Sequence, residues 1–253
     1  MRLNRPLATV TPTLDGDILA VLARTTTTFT IAQIHRILGS ASAEGIRKAL
    51  LRLTAQGIVL SDRVGTTNTY IFNTEHLAAQ PIRDLANLPA TFFGRLETHL
   101  QAWPEPPVYA AVFGSAATAT MTAESDIDLF LVRRSPLHAE PDSAYEWDQQ
   151  VARLAETVTA WTGNDARIVE YTVDDLRDAA AAGDPLLRDI AEHGLTVAGA
   201  RSWLTKALAD VRAAAGAPPR SRRDRLGRNA GGNNRKATQL PTALQSQLSG
   251  DTK

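Results

Sequence analysis

Phe113-Gly114-Ser115-Ala116-Ala117, followed by Ser125-Asp126-Ile127-Asp128-Leu129, is the stretch on which the fold of this chain turns. The apolar run Val108-Tyr109-Ala110-Ala111-Val112-Phe113 ahead of it reads as a buried strand. That strand ends directly in Gly114-Ser115, and the alanine-rich residues behind can open a helix. A strand, a small-residue turn and a helix start leave backbone N–H groups pointing outward, and glycine admits a phosphate closely. Ten residues separate Ser115 from Asp126. Asp126-Ile127-Asp128-Leu129-Phe130-Leu131-Val132 then reads as a second apolar strand that opens with two carboxylates. Residues i and i+2 of a strand face one side, so Asp126 and Asp128 converge. Two acids held together repel unless a cation stands between them, and Mg²⁺ favours carboxylate and phosphate oxygen.

The combined pattern, Gly-Ser, ten residues, then Asp-x-Asp, resembles the minimal nucleotidyltransferases of the DNA polymerase β-like superfamily over about residues 108–198. The resemblance implies that Gly114 and Ser115 hold the phosphates of a nucleoside triphosphate, with ATP the expected nucleotide. It implies that Asp126 and Asp128 bind Mg²⁺ and that NMP passes to a hydroxyl of a protein, an RNA or a small molecule. Two departures stand out. Thr118-Ala119 replaces the Arg-Gly pair usual in such proteins. The third acid that the resemblance calls for falls within Arg167-Ile168-Val169-Glu170-Tyr171-Thr172. One alignment puts Val169 at the acid position; a one-residue shift makes Glu170 the third catalytic acid, and that shift is the reading adopted.

Toward the N-terminus, Ile18, Leu19 and Leu22 share a face of a first helix that spans residues 14–24. Thr30 can cap a second helix that Gly39 ends, and Ser42 starts a third running to about Gln56. Ile58-Val59-Leu60 and Thr69-Tyr70-Ile71-Phe72 flank the turn Gly65-Thr66-Thr67-Asn68. Three helices followed by a hairpin resemble the winged helix-turn-helix family, whose third helix enters the DNA major groove. The candidate DNA-binding residues are Ser42, Arg47, Lys48 and Arg52 on that helix and Arg63 in the wing.

The expected architecture is mixed α/β (α+β): a winged helix over residues 12–75, a helical linker over 76–105 and a nucleotidyltransferase domain over 106–200. A C-terminal helix over 201–215 and a disordered basic tail over 216–253 complete it. Net formal charge is zero over 253 residues. It divides into +3 for residues 1–80 (eight Lys/Arg, five Asp/Glu), −9 for 81–215 (eleven, twenty) and +6 for 216–253 (eight, two). Such zoning fits different partners for each part. Cysteine is absent, which excludes disulfides, thiolate nucleophiles and cysteine-bound zinc. No apolar run is long enough to span a membrane, and the expected location is cytoplasmic. His193, before Gly194, reads as a helix-terminal histidine stabilised by the dipole.

Two other classes of function remain open at this point. The chain can be a transcriptional regulator whose nucleotidyltransferase fold senses nucleotide or has lost activity. The winged helix can instead dock a substrate. Minimal relatives also act as antitoxins that adenylylate a partner toxin of the HEPN type, so a toxin–antitoxin setting is among the expectations.

Overall fold

The computed structural model describes residues 1–39, 41–134 and 141–216, so the expected tail lies outside the described residues except for Gly216. In the N-terminal region, α1 (Leu14–Leu22), α2 (Ile31–Leu38) and α3 (Ala43–Ala55) precede a hairpin of β1 (Val59–Val64) and β2 (Thr67–Phe72). Local chemistry sets these boundaries. Thr30 forms a reciprocal capping box with Gln33 at the start of α2, and Ser42 Oγ accepts the Gly45 N–H at 3.1 Å to start α3. Gly39, at φ +64°, ends α2. Phe29 exchanges backbone hydrogen bonds of 2.8 Å with Tyr70, adding a short third rung beside the hairpin. Ile18, Ile34, Ile46, Leu50 and Val59 are fully buried in the core that joins helices to hairpin. This is the element order expected from the sequence.

Next come α4 (Ala79–Ala86) and α5 (Leu88–Gln101). The C-terminal part contains β3 (Tyr109–Phe113), the single turn α6 (Gly114–Ala117), β4 (Ile127–Arg133), α7 (Pro141–Thr162) and β5 (Ala166–Thr172). It closes with α8 (Val173–Ala182), α9 (Pro185–His193), β6 (Leu195–Ala198) and α10 (Arg201–Gly216). The four strands form one sheet in the order β5-β4-β3-β6, with β4 parallel to β5 and the other pairs antiparallel.

Side-chain alternation gives the sheet two buried faces. Ala110, Val112, Leu129 and Leu131 point to one face, against Trp147, Leu154 and Val158 of α7. Tyr109, Ala111, Phe130 and Val132 point to the other, against Leu176, Leu187, Ile190 and Leu204 from the last helices. The first face also takes Phe92, Leu96 and Leu100 of α5, together with Trp103. Each such side chain stabilises by about 1.5–3 kcal/mol when fully buried. The expected linker over 76–105 is therefore corrected in its second half: α5 is a wall of the α/β core. Leu3, only 5% exposed, packs into that same core from the far end of the chain.

Candidate active site

The register of β3 against β4 pairs Phe113 with Asp128, so the last residue of one strand sits beside the acid that opens the other. The chain then turns at Gly114, φ +65°, into the one-turn α6. A methyl group at Gly114 would lie 2.5 Å from Asp128 Oδ2 and 3.3 Å from its Cγ. Glycine is needed twice over, for the left-handed turn and for the room the carboxylate takes. Ser115 follows, half-buried, with its hydroxyl free of hydrogen-bond partners among the described residues. First-turn N–H groups of a helix lack intrahelical acceptors, so this turn presents donors beside a carboxylate.

Asp126 precedes β4 and lies on the side of Asp128. The loop that carries it is held from below. Buried Asn164 donates Nδ2–H to the Ser125 carbonyl at 2.8 Å, and the Asp165 carbonyl accepts the Ile127 N–H at 2.8 Å. Thr162 Oγ1 in turn accepts the Asn164 N–H at 3.1 Å. Ser125 Oγ accepts the Thr122 N–H at 2.9 Å, closing the loop on itself. Desolvation holds the Asp128 carboxyl above the usual carboxylate range; Arg167 opposes that shift and Asp126 adds to it.

Strand β5 decides the third acid. Pairing of Asp128 with Arg167, Phe130 with Val169 and Leu131 with Glu170 puts Glu170 on the opposite face from the two aspartates. Glu170 Oε2 accepts the indole N–H of Trp147 at 2.6 Å, satisfying a donor on a side chain that is 1% exposed. The expectation that Glu170 completes the acids is therefore corrected, because a one-residue step along a strand reverses the face. Val169 faces the aspartates' side and is apolar. Among the described residues no group of three or more His, Asp or Glu is placed to hold a metal.

In place of an acid, Arg167 faces the pair. Its Nε lies 2.6 Å from Asp126 Oδ2, with the arginine side chain 73% exposed and the aspartate 23%. Sequence reasoning passed over Arg167 and Asn164. Position 167 was legible as two residues from Val169 and so on its face of the strand, but only the β4–β5 register brings it to the aspartates.

The candidate DNA-binding residues are exposed, and most are already engaged. Arg47 pairs with Glu44 at 2.7 Å, Lys48 with the same carboxylate at 3.8 Å, and Arg52 with Asp15 at 2.6 Å. Arg63 Nε donates to the Gly65 carbonyl at 3.2 Å, while Ser42 caps α3. Exposed pairs of this kind contribute about 0–1 kcal/mol, so a phosphate can exchange for them. His193 Nδ1 stands 3.0 Å from Asp189 Oδ1 on its own helix. A groove of about 660 Å³ between α8 and α10, lined by Leu176 and Trp203 among others, contains neither aspartate. No described helix is long and apolar enough to cross a membrane.

No family model matches the sequence, and no curated protein matches it. Among solved structures, a toxin–antitoxin crystallised with AMP-PNP aligns at a TM-score of 0.34 and 16% identity, over 48% of this chain and 85% of that one. The toxin–antitoxin MntA-HepT aligns at 0.30 and 14%, over 49% of this chain and 85% of that one. A mutant of that pair aligns at 0.33 and 15%, over 48% and 84%. Likenesses this weak bear on neither the fold nor the chemistry of this chain.

Proposed function

We propose that the centre formed by Gly114, Ser115, Asp126 and Asp128 binds a nucleoside triphosphate with one divalent cation and transfers its NMP to a hydroxyl acceptor. The observation that carries this reading is that the Asp128 carboxylate fills the space a side chain at Gly114 would need, which sets a phosphate-type turn beside an acidic pair. The donor set fits one Mg²⁺, an ion held through one or two carboxylates plus substrate phosphate. It does not fit a second ion, for which a third carboxylate is wanting on β5.

Asp126 and Asp128 would hold the ion, whose chemistry is to neutralise charge on the phosphates and the leaving oxygen. The Ser115 hydroxyl and the N–H groups of the turn orient the triphosphate. On the aspartates' side β5 carries Arg167, Val169 and Tyr171; the first two take no proton and the Tyr171 hydroxyl donates to Asp184 at 2.8 Å, so transfer is expected to be slow. ATP as nucleotide, and a partner toxin or an RNA as acceptor, rest on the motif's resemblance alone.

Incubation of the protein with each labelled triphosphate and Mg²⁺ tests the proposal, with the Asp126→Ala/Asp128→Ala double variant as control. Label transfer or pyrophosphate release that the control lacks is the expected result. Absence of both turnover and metal-dependent nucleotide binding overturns it.

A second reading has its own support. Arg167 and Val169, where an acid is needed, favour a regulator that binds triphosphate without turning it over. In either case α3 is the proposed contact for duplex DNA, through Arg47, Lys48 and Arg52. Anisotropy with a labelled duplex at rising salt checks this, since phosphate contacts weaken steeply with salt.

A further inference from the structure

Residues 114–124, between the turn and the acids, contain no Lys or Arg, so the turn that would take a triphosphate brings no positive charge of its own. A triphosphate carries more negative charge than one divalent ion offsets. Among the described residues, the cation paired with the acids comes from the neighbouring strand. Arg167 stands opposite Asp128 in the β4–β5 register, with its guanidinium on Asp126 and most of its side chain in solvent. A pair this exposed is cheap to break. Arginine is also the side chain best shaped to grip phosphate oxygens with two parallel donors.

We infer that Arg167 is a triphosphate-binding residue that exchanges partners: it neutralises Asp126 in the empty site and moves to the phosphates when nucleotide and divalent cation arrive. The inference rests on the proposed nucleotide site and adds a residue and an order of events to it. Arg167 and a divalent cation compete for one carboxylate. Metal alone therefore binds weakly, and the triphosphate, by drawing Arg167 away, admits the metal to Asp126. Nucleotide and metal binding are then positively coupled, and linkage makes the coupling equal in both directions.

Calorimetric titrations of the full chain test this, using Mn²⁺ alone, ATP with Mg²⁺, and metal-free inorganic tripolyphosphate. Arg167→Ala is expected to bind Mn²⁺ alone several-fold more tightly while ATP·Mg²⁺ weakens about tenfold or more, the worth of a charge-assisted pair. Arg167→Lys, which keeps the charge and loses the fork, falls between. Asp126→Ala releases Arg167, so it should bind tripolyphosphate more tightly than the unmodified protein, a gain that Asp126→Ala/Arg167→Ala loses. A merely structural Arg167 would weaken all ligands together, and its loss would show in thermal unfolding. Unchanged ATP affinity in Arg167→Ala, or weaker Mn²⁺ binding, overturns the inference and leaves the nucleotide site standing. No ATP or tripolyphosphate binding by any of these proteins overturns the site itself, and the exchange with it.

Discussion

Replacement of Gly114 by alanine separates two costs that the turn imposes. The first is backbone: φ is +65°, where a residue with a Cβ is disfavoured by about 1–2 kcal/mol. The second is the new methyl 2.5 Å from Asp128 Oδ2. The carboxylate is the end of a side chain, so it rotates away rather than moving the strand, at about 0.5–1.5 kcal/mol for leaving its preferred rotamer. The sum is about 1.5–3.5 kcal/mol, or about 3–14 °C in Tm for a domain of this size. Gly163 provides the comparison: φ is +70° there, and an added Cβ meets nothing within 4 Å. Gly163→Ala should cost the backbone share alone. Urea unfolding of both variants, repeated with Asp128→Ala in the background, isolates the contact. In that background Gly114→Ala should cost no more than Gly163→Ala. Equal costs with Asp128 intact, or an excess that persists without it, would refute the seating of the acid against the turn. Divalent-ion affinity should fall in Gly114→Ala along with the displaced carboxylate.

Glu170→Ala leaves the Trp147 indole N–H unsatisfied in a buried site and should cost about 1–3 kcal/mol by chemical denaturation. Glu170→Gln, which keeps an acceptor, should cost less, and neither should alter ATP affinity. At the start of α8, Thr172 donates two hydrogen bonds to Asp175, from its side chain first and its backbone second, and holds that carboxyl below its ordinary 3.8. The native state therefore binds fewer protons there than the unfolded chain. Stability from this cap is present above pH 3.8 and is lost as pH falls through the depressed value. Asp175→Asn should flatten that acid limb in a pH series of thermal unfolding and leave the neutral-pH helix content unchanged.

The elements that sequence could announce are those fixed by local chemistry. Thr30, Ser42 and Gly39 bound their helices through neighbouring backbone, and the Gly114 turn and the acid pair are likewise contiguous or two residues apart. Glu170 was misplaced because every residue of β5 is exposed or half-buried, with no fully buried position to fix its face. In such a strand the face is chosen by pairing with β4, a contact between residues about forty apart. Arg167 escaped for the same reason: an arginine at a strand start carries no sign of the carboxylate it will meet. For α5 the signal was present and undervalued. Phe92, Leu96 and Leu100 recur every four residues, a stripe that must be covered by something.

The burial of Leu3 beside α5 means that the α/β core is discontinuous in the chain: its first contributor comes before the three-helix region, and its others come after it. Asn4 adds a hydrogen bond of 2.8 Å from Nδ2 to the Ala119 carbonyl, just past the Gly114 turn. The helical region is thus an insertion clasped at both ends by the α/β core rather than a bead strung ahead of it. Excision at Pro104-Glu105-Pro106-Pro107, just before β3, would strip the core of Leu3, Phe92, Leu96, Leu100 and Trp103 together. Fusion of a new module ahead of Leu3, by contrast, would load a segment that is hydrogen-bonded, through Asn4, to Ala119 just beyond the Gly114 turn.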